Sequence, residues 1–333
     1  MTIYKNSIKI QSNTARGEGK MDIRRLQAFV KIIDIGSISR AADILNIAQP
    51  ALSQQLASLE TAFKQKLLIR SKMGVTPTAA GLELYRHSQT IIKQLDRAMT
   101  EISNGAGPLV GKVSVGLSPY SSGSTLSLAL LKEVREKLPG ITLHLTESFD
   151  DIYSEMVMTG RLDMAVIHGA GPIKGVHFTP LMKEDFFLVA PESSSFTENL
   201  SSPVRLSDLT EVPLLLPPDY NFVRKRINMA FARKQITPNI VAEVEALLTL
   251  QDAVAAGVGC TILPWSVASK IIVPGKSRVY ELCSPVIQED VSLCVPESIP
   301  ETEAGLAVRE ILIDLAKNMV TSQNWPGTKI MKT

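Results

Sequence analysis

The chain has 333 residues, 45% of them hydrophobic, three cysteines and a formal net charge of +2. That length and apolar content suffice for two or three domains and exclude a chain disordered in bulk. Cys260, Cys283 and Cys294 lie far apart with no Cys-x-x-Cys pair, which argues against a zinc ribbon or a disulfide framework, and no apolar run approaches the roughly 18 residues that span a bilayer.

Residues 1–20 place Lys5, Lys9, Arg16 and Lys20 among Asn, Ser, Thr and Gly, without the apolar stretch or cleavage site of a signal peptide. They read as a disordered extension outside the fold. Residues 21–102 carry eleven Lys/Arg against seven Asp/Glu, while the rest of the chain is acidic. A basic amino-terminal region on an acidic body suits polyanion binding at one end only.

The spacing of Leu26, Phe29, Val30 and Ile33 predicts a helix over Ile23 to Ile35, stopped by Gly36, with Ser37 or Ser39 capping the next. Two short amphipathic helices follow. The first carries Ile38, Ala41, Ala42 and Leu45 on one face, and the second carries Leu52, Leu56, Leu59 and Phe63 at helical steps. Pro50 fits the first turn of the second helix, where a missing N–H costs nothing. The alanine pair leaves room for a close, steep crossing. Gln49, Ser53, Gln54 and Ser58 lie opposite the apolar stripe, where short hydrogen-bonding groups can reach base edges and phosphates. This is a candidate helix-turn-helix.

Leu67 to Arg70 and Val75 to Pro77 read as two short strands around Gly74, a small wing. Thr78 is expected to cap a long helix reaching Ser103, in which Leu84, Ser88, Ile91, Leu95, Ala98 and Ile102 form an alternating four-three seam suited to pairing between chains. Residues 106–111 form a Gly- and Pro-bearing hinge. Beyond it strands and helices alternate. Expected strands are Val113–Leu117, Ile141–Thr146, Leu162–Ile167, Phe186–Ala190, Val212–Leu216, Ile240–Val244, Cys260–Leu263, Val279–Leu282 and Val291–Val295. Expected helices are Thr125–Leu138, Ile152–Thr159, Phe222–Lys234, Leu247–Ala256 and Glu301 to Thr321. Such alternation predicts α/β units with parallel sheets, whose ligands bind beyond the carboxyl ends of strands.

Enzymatic readings find little support. Gly116-Leu-Ser118-Pro-Tyr120 lacks the final glycine of a nucleophile elbow. His87, His144, His168 and His177 show no metal-binding spacing, and Gly257-Val-Gly259 is too short for a dinucleotide fingerprint. No catalytic residue, metal or cofactor is expected.

From Met21 onward the chain resembles the LysR-type transcriptional regulators. The resemblance rests on Leu26-Gln-Ala-Phe29, Gly36-Ser-Ile-Ser-Arg-Ala-Ala42, Gln49-Pro-Ala-Leu-Ser-Gln54, Leu59-Glu60, Leu67-Leu-Ile-Arg70, Gly74-Val75 and Thr78-Ala-Ala-Gly81. Further along, Gly160-Arg-Leu-Asp-Met-Ala165 and Ala255-Ala-Gly-Val-Gly-Cys-Thr-Ile-Leu-Pro264 match that family's recurring strand edges. Its amino-terminal motifs are particularly similar to the nitrogen-control subgroup. The resemblance implies an α/β protein with a winged helix-turn-helix at 21–78, a dimerisation linker helix at 79–105 and the hinge at 106–111. After these it implies a two-lobed, periplasmic-binding-protein-like effector domain, with lobe 1 at 112–178 and 283–322, lobe 2 at 179–282, and a flexible tail at 323–333.

The family pattern departs at three positions. Ala48 stands where many members have a capping Ser or Thr, a loss of about 1 kcal/mol unless another group satisfies the N–H groups. Gln54 stands where many have Arg, and Gln reads adenine where Arg prefers guanine. Met73 stands where relatives often carry a basic residue.

Expected DNA contacts are Gln49, Pro50, Ser53, Gln54 and Ser58 on the recognition helix, Ser39 and Arg40 before it, and Arg70, Lys72 and Thr76 on the wing. Expected effector contacts are Ser118, Pro119, Tyr120, Ser121 and Ser122 after the first strand of lobe 1, Phe149, Ile167 and His168 at later strand ends, and Tyr220, Phe222 and Ala246 from lobe 2. The serine cluster before a helix amino terminus suits an anion, whereas a nearby Glu245 would oppose one. The implied partners are double-stranded promoter DNA, a second copy through the linker helix, a homotetramer, RNA polymerase and a small-molecule effector, in the cytoplasm and away from any membrane. The competing expectation is a two-lobed solute-binding protein with an unrelated amino-terminal interaction domain.

Overall fold

A computed structural model describes residues 22–71, 74–104, 108–121, 123–148, 150–169, 171, 173–198, 200–321, 325 and 327–331. The expected extension at 1–20 and the positions Lys72, Met73, Ser122 and Phe149 lie outside the described residues. The chain divides into two units, up to Leu95 and from Asp96 onward.

In the first unit, α1 (Ile23–Ile35) opens on Asp22, whose carboxylate accepts from the Arg24 N–H at 3.1 Å. It closes on Gly36 at φ 68, the left-handed cap expected from sequence. The helix α2 (Ile38–Leu45) is capped by Ser37, and α3 (Gln49–Phe63) starts at Ala48 with no side-chain cap. Ala41 and Ala42 are 0% and 1% exposed, so the α1, α2 and α3 backbones approach closely around them. Leu26, Phe29 and Ile32 from α1 share a buried core with Leu52, Leu56 and Leu59 from α3. Fully burying each large side chain contributes about 1.5–3 kcal/mol.

The wing is β1 (Leu68–Ser71) paired antiparallel with β2 (Gly74–Pro77). The Val75 N–H donates to the Gly36 carbonyl at 3.0 Å, and a Cβ on Gly74 would lie 2.4 Å from that same oxygen. Two glycines therefore allow the wing to touch the α1–α2 turn. Glu60 ties α3 to the wing, accepting from the Leu67 N–H at 3.0 Å and from Lys66 at 2.8 Å. Burial pushes its carboxyl upward, but Lys66 and the Leu67 and Leu68 N–H groups hold it below the ordinary glutamate value. The long helix α4 (Ala79–Asn104) starts at Thr78, whose hydroxyl accepts from the Gly81 N–H at 3.0 Å and donates to the Lys66 carbonyl at 2.7 Å. Leu84 and Ser88 of the seam are buried, whereas Ile91 and Ile102 are 47% and 84% exposed.

The second unit begins with β3 (Gly111–Leu117), α5 (Gly123–Lys137), β4 (Ile141–Thr146), α6 (Asp150–Met158), β5 (Met164–His168) and β6 (Val176–Pro191). Then come β7 (Val204–Arg205), β8 (Leu214–Leu216), α7 (Phe222–Arg233), β9 (Ile240–Glu243), α8 (Leu247–Ala255) and β10 (Thr261–Pro264). The unit ends with α9 (Trp265–Ile271), β11 (Ser277–Cys283), β12 (Gln288–Pro296), α10 (Glu303–Thr321) and β13 (Thr328–Ile330).

The main sheet runs β4-β3-β5-β12-β6-β11-β7, with β10 and β13 also paired to β6. β3 is parallel to β4 and β5, but β12 is antiparallel to β5 and β6, so the sheet is mixed where sequence alternation pointed to parallel pairing. The difference comes from β6. Its first ten residues, Val176 to Asp185, pair with β12, and from Phe186 onward it pairs with β10 and β11. One strand thus passes from the sheet of one lobe to that of the other between Asp185 and Phe186. Lobe 1 therefore extends past the expected boundary at 178 to take in Leu181 and Met182, and it resumes at Gln288, after Ile287 of the other core, where 283 was expected. Two cores flank the passage. One is built on Val113, Leu126, Met164 and Leu312, and the other on Leu188, Leu215, Ile227 and Ile262.

Several elements depart from the expected pattern, among them the two-residue strand β7, which was not expected. β6 starts ten residues before Phe186, at Val176, because β12 pairs with that stretch, and Pro180 is accommodated at a register shift. The short helix α9 follows β10 without a loop. Residues 328–330, expected within a flexible tail, form β13 against Met182–Glu184.

Candidate DNA-reading surface and interlobe cleft

The amino-terminal turn of α3 presents Gln49 and Pro50 to solvent, with Gln54 exposed one turn on and Ser53 half-buried. Leu52, Leu56 and Leu59 face the core, so the polar set lies on the opposite side of the helix. The Gln49 amide donates to the Ser53 hydroxyl at 2.9 Å, which holds both side chains in one arrangement. Ser39 and Arg40 are exposed on α2, and the Arg40 guanidinium donates to the Ile35 carbonyl at 3.1 Å. Ser58 is half-buried and accepts from Arg25 at 2.8 Å, a link from α1 to α3 that sequence reasoning did not single out. In the wing, Arg70 pairs with Val75 and Ile69 with Thr76. Side chains alternate along a strand, so Arg70 and Thr76 sit on opposite faces of the hairpin.

Ala48 leaves α3 without a side-chain cap. Ala48→Ser is expected to stabilise the first unit by about 1 kcal/mol, read as a higher Tm. An unchanged or lower Tm would show that the end is satisfied in another way.

In the second unit, Ser118, Tyr120 and Ser121 are buried where β3 meets α5, with Pro119 half-buried beside them. A Cβ on Gly123 would lie 2.7 Å from the Ser118 backbone, so only glycine lets this loop fold onto the start of α5. From this lobe Tyr120 reaches across to the β9–α8 loop, donating toward the Glu245 carbonyl at 2.9 Å and the Val244 carbonyl at 3.2 Å. Burial, with Glu245 nearby, holds its phenol far above the ordinary tyrosine range. Ile167 and His168, both buried, end β5. The His168 ring stacks on Phe222 at the start of α7, with centroids 5.1 Å apart and planes 7° from parallel. Arg226 lies over the same Phe222 ring at 5.9 Å and is ion-paired with Glu289 of β12. Tyr220 is 49% exposed and donates to the Glu245 carboxylate at 2.9 Å, and Ala246 is the exposed cap of α8. The effector candidates thus meet in two interlobe contacts, Tyr120 on the β9–α8 loop and His168 on Phe222.

Glu184, absent from the sequence candidates, is fully buried on β6 and accepts from the Ser266 N–H at 2.8 Å. Burial raises its carboxyl above the ordinary value of 4.5, against the opposing pull of Ser266 and His168. A carboxyl raised in the folded state contributes its stability at low pH and loses it as pH climbs through the folded value. Glu184→Gln keeps an acceptor for Ser266 and cannot ionise. Its Tm advantage over wild type is expected to grow from pH 5 to pH 8, and a gap that shrinks with pH would contradict this.

Burial pushes the Cys260 thiol up to about 12, far from a reactive thiolate. Among the described residues no group of three His, Cys, Asp or Glu side chains is placed to hold a metal ion, and no helix is long and apolar enough to cross a membrane.

Residues 23–82 match the bacterial regulatory helix-turn-helix protein of the lysR family, and residues 106–317 match the LysR substrate binding domain. The chain is 39% identical over 295 residues to the nitrogen assimilation regulatory protein nac of Klebsiella aerogenes, covering 89% of this chain and 95% of that protein. It is 37% identical over 300 residues to the nac protein of Escherichia coli, covering 90% and 97%. Among solved structures it is similar to a full-length OxyR variant from Pseudomonas aeruginosa, at 25% identity and a TM-score of 0.66 over 89% of this chain and 97% of that one.

Proposed function

The chain belongs to the LysR family of transcriptional regulators, and on that premise we propose how its two units share the work. Gln49, Pro50, Ser53 and Gln54 enter the major groove of promoter DNA, where Gln54 favours adenine. Ser39, Arg40, Arg70 and Lys72 contact the phosphate backbone, Thr76, on the other face of the wing, is set aside from that contact, and Ser58 lines the same helix face as Gln54. The observation that carries this reading is the exposed polar face of α3, backed by the buried Leu52, Leu56 and Leu59 stripe.

The exposed seam residues Ile91 and Ile102 support pairing of α4 with a second copy. Effector-domain contacts would then extend the dimer to a tetramer that bends DNA and meets RNA polymerase in the cytoplasm. The nac relatives suggest nitrogen assimilation genes as the setting. A small effector would enter between the lobes at Ser118, Tyr120, Ser121, His168 and Phe222. Ser122 and Phe149 complete the proposed set by sequence position. The solute-binder alternative leaves the amino-terminal match unexplained.

Selection of binding sites from random duplexes, with wild type and with Gln54→Ala, tests the recognition surface. Wild type is expected to enrich a pseudo-palindrome with A·T pairs at defined positions. The variant is expected to lose about 1–3 kcal/mol of discrimination at one of them. An unchanged preference would remove Gln54 from the reading.

A further inference from the structure

The residues after α10 make contacts that the regulator reading does not use. Trp325 is 5% exposed and belongs to the lobe 1 core that includes Leu181, Met182, Leu312 and Ala316. The Thr328 hydroxyl donates to the Trp325 carbonyl at 2.6 Å and closes the turn into β13. Thr328, Lys329 and Ile330 then pair with Glu184, Lys183 and Met182. The Asp185 N–H donates to the Gly327 carbonyl at 2.8 Å. Gly327 has φ 72, and a Cβ there would lie 2.8 Å from the Asp185 Cβ and 3.0 Å from the Phe187 ring. The Phe187 ring in turn packs edge-on against Trp265 of α9, with centroids 5.1 Å apart.

These contacts fall where β6 changes lobes, between Asp185 and Phe186. On one edge of β6 runs β12 as far as Gln288. Residues 182–184 are paired to both strands, so β13 must occupy the opposite edge. Trp325 anchors in lobe 1 while Gly327 lies against Phe187, part of the lobe 2 core. The stretch matching the family's effector domain stops at residue 317, before any of these residues.

We propose that Trp325 and β13 form a clip across the lobe junction, stiffening β6 where it crosses and so restraining the angle between the lobes. A strand that crosses a junction with one edge free can bend there. A third strand on the free edge adds hydrogen bonds that bending or shearing must break. Covering that edge also keeps it from pairing with another chain.

Hydrogen exchange on the full chain, free of DNA and ligand, tests the clip independently of any effector. Lys329→Pro removes an N–H in the middle of β13 without touching a core side chain. Gly327→Val forces the clip away from Asp185 and Phe187. Both variants are expected to exchange at least tenfold faster than wild type over residues 181–187 and 287–290 and in the loop at 244–246. Residues 113–117 and 250–254, inside the two lobes, are expected to keep wild-type protection. Faster exchange confined to 325–331 would overturn the proposal, since β13 would then lie on the junction without stiffening it. Loss of protection throughout lobe 1 would also overturn it, making the segment an ordinary part of that core. If Gly327→Val does not fold, Lys329→Pro alone decides between these outcomes.

Discussion

Gly81→Ala is expected to cost the DNA-binding unit about 3 kcal/mol and to weaken specific DNA binding about a hundredfold. Gly81 lies in the first turn of α4, and a Cβ there would sit 1.9 Å from the Leu67 carbonyl oxygen and 2.9 Å from its carbon. Neither atom belongs to a flexible side chain that can swing away. The helix must lift or the strand must move. Either shift pulls on Thr78, which joins the same two segments through its N–H to the Leu67 carbonyl at 3.0 Å and its hydroxyl to the Lys66 carbonyl. It also pulls on Leu67, which is 1% exposed beside Tyr85 in the unit's core. Thermal unfolding and a duplex titration measure the two effects. Wild-type values for both would mean that the close approach of α4 to the wing carries no weight.

Tyr153→Phe is expected to destabilise the effector domain by about 3 kcal/mol and to loosen the carboxyl ends of β3 and β4. Tyr153 on α6 is fully buried. Its hydroxyl donates toward the Thr146 carbonyl at 2.7 Å and the Leu117 carbonyl at 3.0 Å, and accepts from the Ser148 N–H. It thus joins the carboxyl ends of β3 and β4, where the serine cluster begins. Phenylalanine fills the ring's space but leaves buried backbone groups unsatisfied, at about 1–3 kcal/mol for each one that stays dry. Chemical denaturation reads the loss, and faster hydrogen exchange at 117–121 reads the loosening. A loss under about 1 kcal/mol would mean that these groups find other partners.

The helix-turn-helix was legible because its signals are local. Helical spacing of Leu52, Leu56 and Leu59, a stop at Gly36 and a proline in the first turn each act within a few residues, and α1 spans the expected Ile23 to Ile35. The wing and long helix were legible for the same reason. The first half of β6 was not, because Pro180, Lys183, Glu184 and Asp185 give it the composition of a loop. It is a strand because β12 and β13 lie on its two edges, a long-range fact that no local pattern contains. Glu184 escaped notice as a lone carboxylate in that polar run, and only the fold buries it against Ser266.

At the candidate sites, the strand-end rule led to Tyr120, His168 and Phe222. What it could not supply was the pairing, with Tyr120 on the Val244 and Glu245 carbonyls and His168 on Phe222. Ser58 followed from helix periodicity, yet its oxygen accepts from Arg25, a contact that depends on how α1 crosses α3.

In the proposed reading the first unit recognises DNA sequence through α3 while its basic residues hold the backbone. Fluorescence anisotropy of a duplex recovered by site selection, and of a scrambled duplex of the same length, tests it most directly across a salt series from about 50 to about 200 mM. Affinity for the selected duplex is expected to fall about a thousandfold over that range. The selected duplex is expected to bind about a thousandfold more tightly than the scrambled one at equal salt. Equal binding to both duplexes, with little dependence on salt, would contradict it.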